Sequence, residues 1–293
     1  MNASPITLAA VSRRALLGVG IAASFYPAAS WARTSPQNHL GLLLREDRLW
    51  GRTVAKRASG SLAMLFAKEI VMPSAGRLLW NASDAAESLQ TSAVGAKGWE
   101  PFGGGISQCG EAGLTYGLVY ATDTLGRSKL DKYLAYWVRS SAGWRIAAYK
   151  RAPLPEPQGN RPRLTRVRIL PARTRAEYPA DTASLMTAEL EFSGEAARIG
   201  LGPAFASWGG RLSINLGSRH DIILGALNIG AAIGSTALGR LEWSSEATHV
   251  AAGGDFGLSW GWIRSVEDKE AQPIPFFTIW QRDEQGRWRY IAE

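Results

Sequence analysis

Two acids in this sequence sit where a carboxylate can do chemistry. Asp47 and Glu189 each lie three residues before an aromatic, Trp50 and Phe192, on the apolar face of a helical pattern. A carboxylate held against an apolar wall has a raised pKa and can act as a general acid or base. The competing role is structural: a buried acid hydrogen-bonded to its surroundings that fixes the helix on a sheet. Its recurrence at both positions favours that role. His220-Asp221 is the other candidate. An imidazole there can serve as a general base near neutral pH. Its alternative is a surface loop, with the aspartate capping the helix that follows.

Aromatic residues supply the material for a cavity wall or a core. The chain holds 12 tryptophans. Trp99, Tyr116, Trp243, Trp260, Phe192 and Trp280 are the candidates for a ligand pocket. Glu111 and Asp255 follow glycines and suit tight turns. His39, His220 and His249 lack metal-ligand spacing, and Cys109 is the single cysteine, so no metal site and no internal disulfide is expected. Gly103-Gly104-Gly105 has no following Lys-Ser or Lys-Thr, Gly200-Leu201-Gly202 has no third glycine, and Cys109 stands where a nucleophile elbow needs Gly. No catalytic triad and no cofactor motif emerges.

The elements that position these residues follow from periodicity. Leu185, Ala188, Glu189, Phe192 and Ala196 trace one face of a helix, capped by Asp181 or Thr182. Leu40, Leu43, Leu44, Asp47 and Trp50 trace a similar face. Further helices are expected over 61–70, 203–208 and 223–233. Strands follow: Phe256, Leu258, Trp260 and Trp262 alternate with smaller residues at period two. A final hairpin spans 276–280 and 288–291. Helices first and an antiparallel sheet after them make an α+β layout.

The chain also repeats itself. Cys109-Gly110-Glu111-Ala112-Gly113-Leu114-Thr115-Tyr116-Gly117 is answered 144 residues later by Gly253-Gly254-Asp255-Phe256-Gly257-Leu258-Ser259-Trp260-Gly261. Trp99 and Trp243 share that offset, and so do Trp144 and Trp288. Trp137 and Trp280 stand at 143, and Leu43/Leu185, Asp47/Glu189, Trp50/Phe192 and Gly60/Gly202 at 142. So many ordered matches point to a tandem duplication, with units over 33–150 and 180–293.

Hydrophobic residues make up 46% and charged residues 20% of the 293, as in ordinary globular chains. The net charge of +8 is concentrated: Lys150 to Arg175 carries eight basic residues against Glu156 alone. With six prolines between 151 and 179, that stretch reads as an extended, charge-stiffened linker, with Leu164 to Leu170 able to add an edge strand. Ser12-Arg13-Arg14-Ala15-Leu16-Leu17 resembles a twin-arginine export signal, with Leu16 where Phe is usual and no following Lys. Ala15 to Ala29 is too short for a stable anchor, and Ser30-Trp31-Ala32 offers a cleavage point after Ala32. An exported, periplasmic protein without a transmembrane anchor is expected, for which nucleic acid is not an expected partner.

The pattern Trp…Gly-Asp-Phe-Gly-Leu-Ser-Trp-Gly…Trp-Gln-Arg…Gly-Arg-Trp-Arg-Tyr-Ile, with the helical Ala188-Glu189-Leu190-Glu191-Phe192, resembles SnoaL-like domains of the nuclear transport factor 2-like superfamily, which also holds ketosteroid isomerase. The resemblance covers 181–293 well and 38–150 more loosely. It implies two cone-shaped domains, each with helices packed on a strongly curved antiparallel sheet and a pocket at the open end. It implies a monomer that forms an internal pseudo-dimer, or a weak homodimer. Members include isomerases, cyclases, dehydratases and domains without chemistry, so fold does not settle function. The isomerase pattern of a base carboxylate with an acidic oxyanion partner has no matching pair here. The expected function is the binding of a small apolar ligand without catalysis. An isomerase-, dehydratase- or cyclase-type enzyme using Glu189 or His220-Asp221 is the alternative, and a partner-binding scaffold the third reading.

Overall fold

A computed structural model describes residues 35–56, 59–74, 76–91, 96–123, 125–154, 166–172, 178–217, 221–236 and 239–293. The leader motif and the candidate His220 lie outside these residues. The first unit opens with α1 (Pro36–Thr53), whose buried stripe holds Leu40, Leu43, Leu44, Asp47 and Trp50, as the periodicity requires. Ser35 caps it and Pro36 occupies the first turn, where a missing N–H costs nothing. α2 (Ser59–Leu62) follows, then β1 (Phe66–Ser74), β2 (Arg77–Asn81), α3 (Ala82–Thr91), β3 (Ala96–Ile106), β4 (Ala112–Thr122), β5 (Ser128–Ser140), β6 (Gly143–Pro153) and β7 (Arg168–Ile169). The second unit runs α4 (Thr182–Ile199), α5 (Leu201–Trp208), β8 (Gly209–Asn215), β9 (Ile223–Leu224), α6 (Ala226–Gly234), β10 (Leu241–Val250), β11 (Phe256–Ser265), β12 (Ile274–Arg282) and β13 (Trp288–Ala292).

Two expected helices are corrected. The 61–70 segment leaves the helix at Leu65, because Ile70 and Val71 are drawn into ladders with β2 and β6. The 223–233 segment begins as a strand on β8, and Gly225, at a φ of 85°, turns the chain into α6. The edge strand expected within the linker is present: β7 runs parallel to β3 at the margin of the first sheet, with Val167 and Ile169 buried.

The first sheet has the order β2-β1-β6-β5-β4-β3-β7 and the second β10-β11-β12-β13-β8-β9. Reversed, the second sheet reproduces the first strand for strand, apart from the added β7. Both sheets are mixed rather than antiparallel throughout, since β1 pairs parallel with β6 and β8 parallel with β13. These pairings join the strand that follows the opening helices to the last long strand of the unit. Irregular register in β3 and β10 bends the strands that carry Trp99 and Trp243.

Each sheet has helices on one face and the other sheet on its opposite face. α1 seats Leu43 over Gly113, where an added Cβ would lie 2.6 Å from the Leu43 side chain. In the second unit α4 seats Leu185 over Gly257, with the corresponding separation 2.5 Å. Between the sheets, Leu114, Leu134, Tyr136 and Ala148 of the first unit share one core with Phe256, Leu258, Phe277 and Ile279 of the second. Tyr136 stacks on Phe256 with ring centroids 5.9 Å apart, and its hydroxyl bonds His249 Nδ1 at 2.8 Å. Burying each of the Leu, Ile and Phe side chains among them contributes about 1.5–3 kcal/mol. The interface therefore resembles a domain core rather than a loose contact.

Candidate functional site

Asp47 and Glu189 are both sealed. Glu189 accepts the indole N–H of Trp243 at 2.6 Å, the hydroxyl of Ser259, and the indole N–H of Trp280 at 3.3 Å. Trp280 also donates to Ser259 Oγ at 2.8 Å. Asp47 accepts Trp99 Nε1–H at 2.6 Å and the Tyr133 hydroxyl at 2.6 Å, while Trp137 donates to Thr115 Oγ1 at 2.8 Å. The two units thus carry the same set: a helix acid, a tryptophan on the bent strand, a hydroxyl on the next, and a second tryptophan beyond it. Phe276 stands where the first unit has Tyr133, by the offset that relates Trp137 to Trp280.

Burial pushes Glu189 up to about 7, against the hydrogen bonds from Ser259, Trp243 and Trp280. Burial likewise raises Asp47 to about 6, against bonds from Tyr133, Thr115 and Trp99. These shifts alone would suit a general acid or base. The geometry does not, because the oxygens are engaged by indole and hydroxyl donors and the residues are 1% and 0% exposed. Neither carboxylate lines either of the cavities described below.

The remaining candidates separate into two places. Trp99 lies in the core between helices and sheet of the first unit, and Trp243, Phe192 and Trp280 in that of the second. Phe192 makes edge contacts with Phe205, Trp243 and Trp280 and stacks on Tyr290. Tyr116 and Trp260 lie on the other faces, in the core between the sheets. The Tyr116 hydroxyl accepts the Val167 N–H at 3.0 Å and so holds the linker to the sheet. Asp221 is exposed, and its charge favours protonated Lys132. Asp255 is no simple surface turn: its carboxylate accepts the Gln108 N–H at 2.9 Å across the interface, and burial raises it to about 6. Among the described residues no cluster of His, Cys, Asp and Glu could hold a metal ion.

A cavity of about 300 Å³ opens at the mouth of the second unit. Leu201, Phe205, Ile233, Trp243, Ile263 and Phe276 form its apolar wall. One end is polar, with Thr278, Glu293 and, reaching across from the first unit, Lys150. Thr278 Oγ1 donates to Glu293 at 3.4 Å. Burial raises Glu293 to about 8, reinforced by the nearby Glu189 and opposed by Lys150. Burial lowers Lys150, opposed by Glu293.

A second cavity of similar volume lies at the corresponding mouth of the first unit. Its wall includes Phe66, Met72, Trp80, Leu89 and Tyr149, and its rim the ion cluster in which Asp131 bonds Arg151 at 2.7 Å and lies 3.2 Å from Lys129. Tyr149 precedes Glu293 by 144 residues, so one sheet position carries a phenol in one unit and a carboxyl in the other. Sequence reasoning missed Lys150, Glu293 and Tyr149 as site residues. The offset placed Tyr149 against Glu293, but nothing in sequence brings Lys150 to the other unit's mouth.

Comparison with solved structures gives neighbours that match about one unit. A protein of unknown function of the DUF3225 family from Pectobacterium atrosepticum is 18% identical over 40% of this chain and 91% of its own, with a TM-score of 0.30. A nuclear transport factor 2-like protein of unknown function from Pseudomonas putida is 13% identical over 46% of this chain and 99% of its own, also at 0.30. One of the same description from Rhodospirillum rubrum, of unknown function in nutrient uptake, is 12% identical over 38% and 96%, at 0.29. At these scores the likeness adds nothing to the architecture above. No protein-family model and no curated protein matches the sequence.

Proposed function

We propose that this chain binds a small, mainly apolar molecule at the mouth of its second unit and does no chemistry on it. The observation that carries this reading is the cavity of about 300 Å³ walled by Leu201, Phe205, Ile233, Trp243, Ile263 and Phe276. An apolar recess with a few convergent polar groups is the usual form of a small-molecule site. Its volume is about twice the ~150 Å³ that accepts a benzene ring in an engineered protein cavity.

The absence of catalysis in this proposal rests on Glu189 and Asp47. Their hydrogen bonds tie helix to sheet, and neither lines either of the two cavities described. The Arg13-Arg14 motif supports work outside the cytoplasm. No described helix is long and apolar enough to cross a membrane. Native mass spectrometry of the chain purified under gentle conditions tests the reading. A discrete small-molecule adduct is expected, and turnover that survives dialysis and is lost in Glu189→Gln would overturn the non-catalytic part.

A further inference from the structure

The polar end of the second unit's cavity is built from both units. Lys150 lies on β6 of the first unit, paired with Leu134, which belongs to the core between the sheets. From that face its side chain lines the other unit's cavity, beside Thr278 and Glu293. Among the described residues the Lys150 ammonium makes no hydrogen bond and no ion pair within 4.0 Å, although Glu293 is near enough to act on it electrostatically. Burial disfavours the Lys150 ammonium, and an anion that enters from the cavity to bond it favours the charged form again. Lys132 is near enough to Lys150 for the two to repel as cations, and Asp221 acts on Lys132 in the opposite sense.

We infer that the occupant is a small carboxylic acid with an apolar body, its carboxylate on Lys150 and its body against Phe205, Ile233, Trp243, Ile263 and Phe276. This rests on the cavity being a binding site and adds the class of its ligand. Glu293 does not forbid the anion. Held protonated by burial, it donates its O–H to a ligand oxygen while Thr278 stays bonded to Glu293 Oε1. The ring or chain enters the apolar end, where no wall residue competes for hydrogen bonds. The first unit is then part of the site and not only its support, because it provides the cation.

The test uses phenylacetate and its neutral counterpart phenethyl alcohol, titrated calorimetrically into the full chain and into Lys150→Met. Methionine keeps the apolar stem and removes the charge, and a thermal melt confirms that the variant folds. Wild type is expected to bind the acid more tightly than the alcohol. Lys150→Met should weaken phenylacetate by about tenfold or more and leave phenethyl alcohol within about twofold, the range for one charge-assisted hydrogen bond. Equal effects on both ligands, or none on the acid, overturn the inference while leaving the cavity reading in place. Failure of both ligands to bind wild type overturns the cavity reading and the inference with it.

Discussion

Trp243 donates its indole N–H to Glu189 at 2.6 Å, and this bond ties the bent strand β10 to the opening helix of its unit. Trp99 and Asp47 repeat it at the same distance. Removing the acceptor leaves two buried indole N–H groups and a hydroxyl without it. Glu189→Ala is therefore expected to cost at least about 3 kcal/mol, whereas Glu189→Gln, which keeps an acceptor oxygen, should cost clearly less. Urea denaturation of the two variants checks the order.

The same burial predicts a pH dependence. Glu189 is raised from 4.5 to about 7 in the folded chain. A raised carboxyl contributes stability that is complete below its unfolded pKa and is lost as pH rises through the folded one. Between pH 4.5 and about 7 the Glu189 contribution therefore falls with rising pH. His249, lowered by burial from 6.5 to about 4, acts in the opposite sense: its contribution is complete above 6.5 and lost as pH falls towards 4. The difference between wild type and Glu189→Gln isolates the carboxyl. The stability of wild type relative to the variant should decline by on the order of 3 kcal/mol across that window. A flat difference would contradict the assigned environment of Glu189.

The continuous core between the sheets predicts one cooperative transition for both units. Phe256, fully buried and stacked on Tyr136, is central to it. Phe256→Ala should cost about 3–5 kcal/mol and split or broaden the transition in calorimetry. Two well-separated transitions in the wild type would show that the units fold independently.

Glycines separate close packing from open surface. A Cβ at Gly257 would meet the Leu185 side chain at 2.5 Å, so Gly257→Ala should destabilise by about 1–3 kcal/mol. Gly194, in the middle of α4, has nothing within 4 Å of its would-be Cβ, and Gly194→Ala should stabilise by about 0.5–1 kcal/mol. Melts of the two variants should move in opposite directions.

Much of this architecture was legible in the spacing of a few residues. The tryptophan offsets placed β3 against β10 and β5 against β12, and the helical stripes placed Asp47 and Glu189 on buried faces. The end of the 61–70 segment read as helix because its strand character comes from distant partners: Phe66 pairs with Ile146 and Val71 with Ala148 on β6. Trp260 and Tyr116 could not be told from cavity residues, since the strand face that carries them packs on the other sheet, a docking that no spacing in the sequence shows. Lys150 was hidden for a related reason: it lay in what read as the start of a basic linker, and its place depends on how the second sheet docks.

The most direct test of the central claim is a calorimetric titration of the full chain with indole, a neutral ligand that fits the second unit's cavity, beside the variant Ile233→Trp. Ile233 lines that cavity from α6, and the larger side chain fills it. Wild type should bind indole with one site, and the variant should lose that binding while melting as wild type does. Indole binding that persists in Ile233→Trp, or no binding by a folded wild type, would contradict the account.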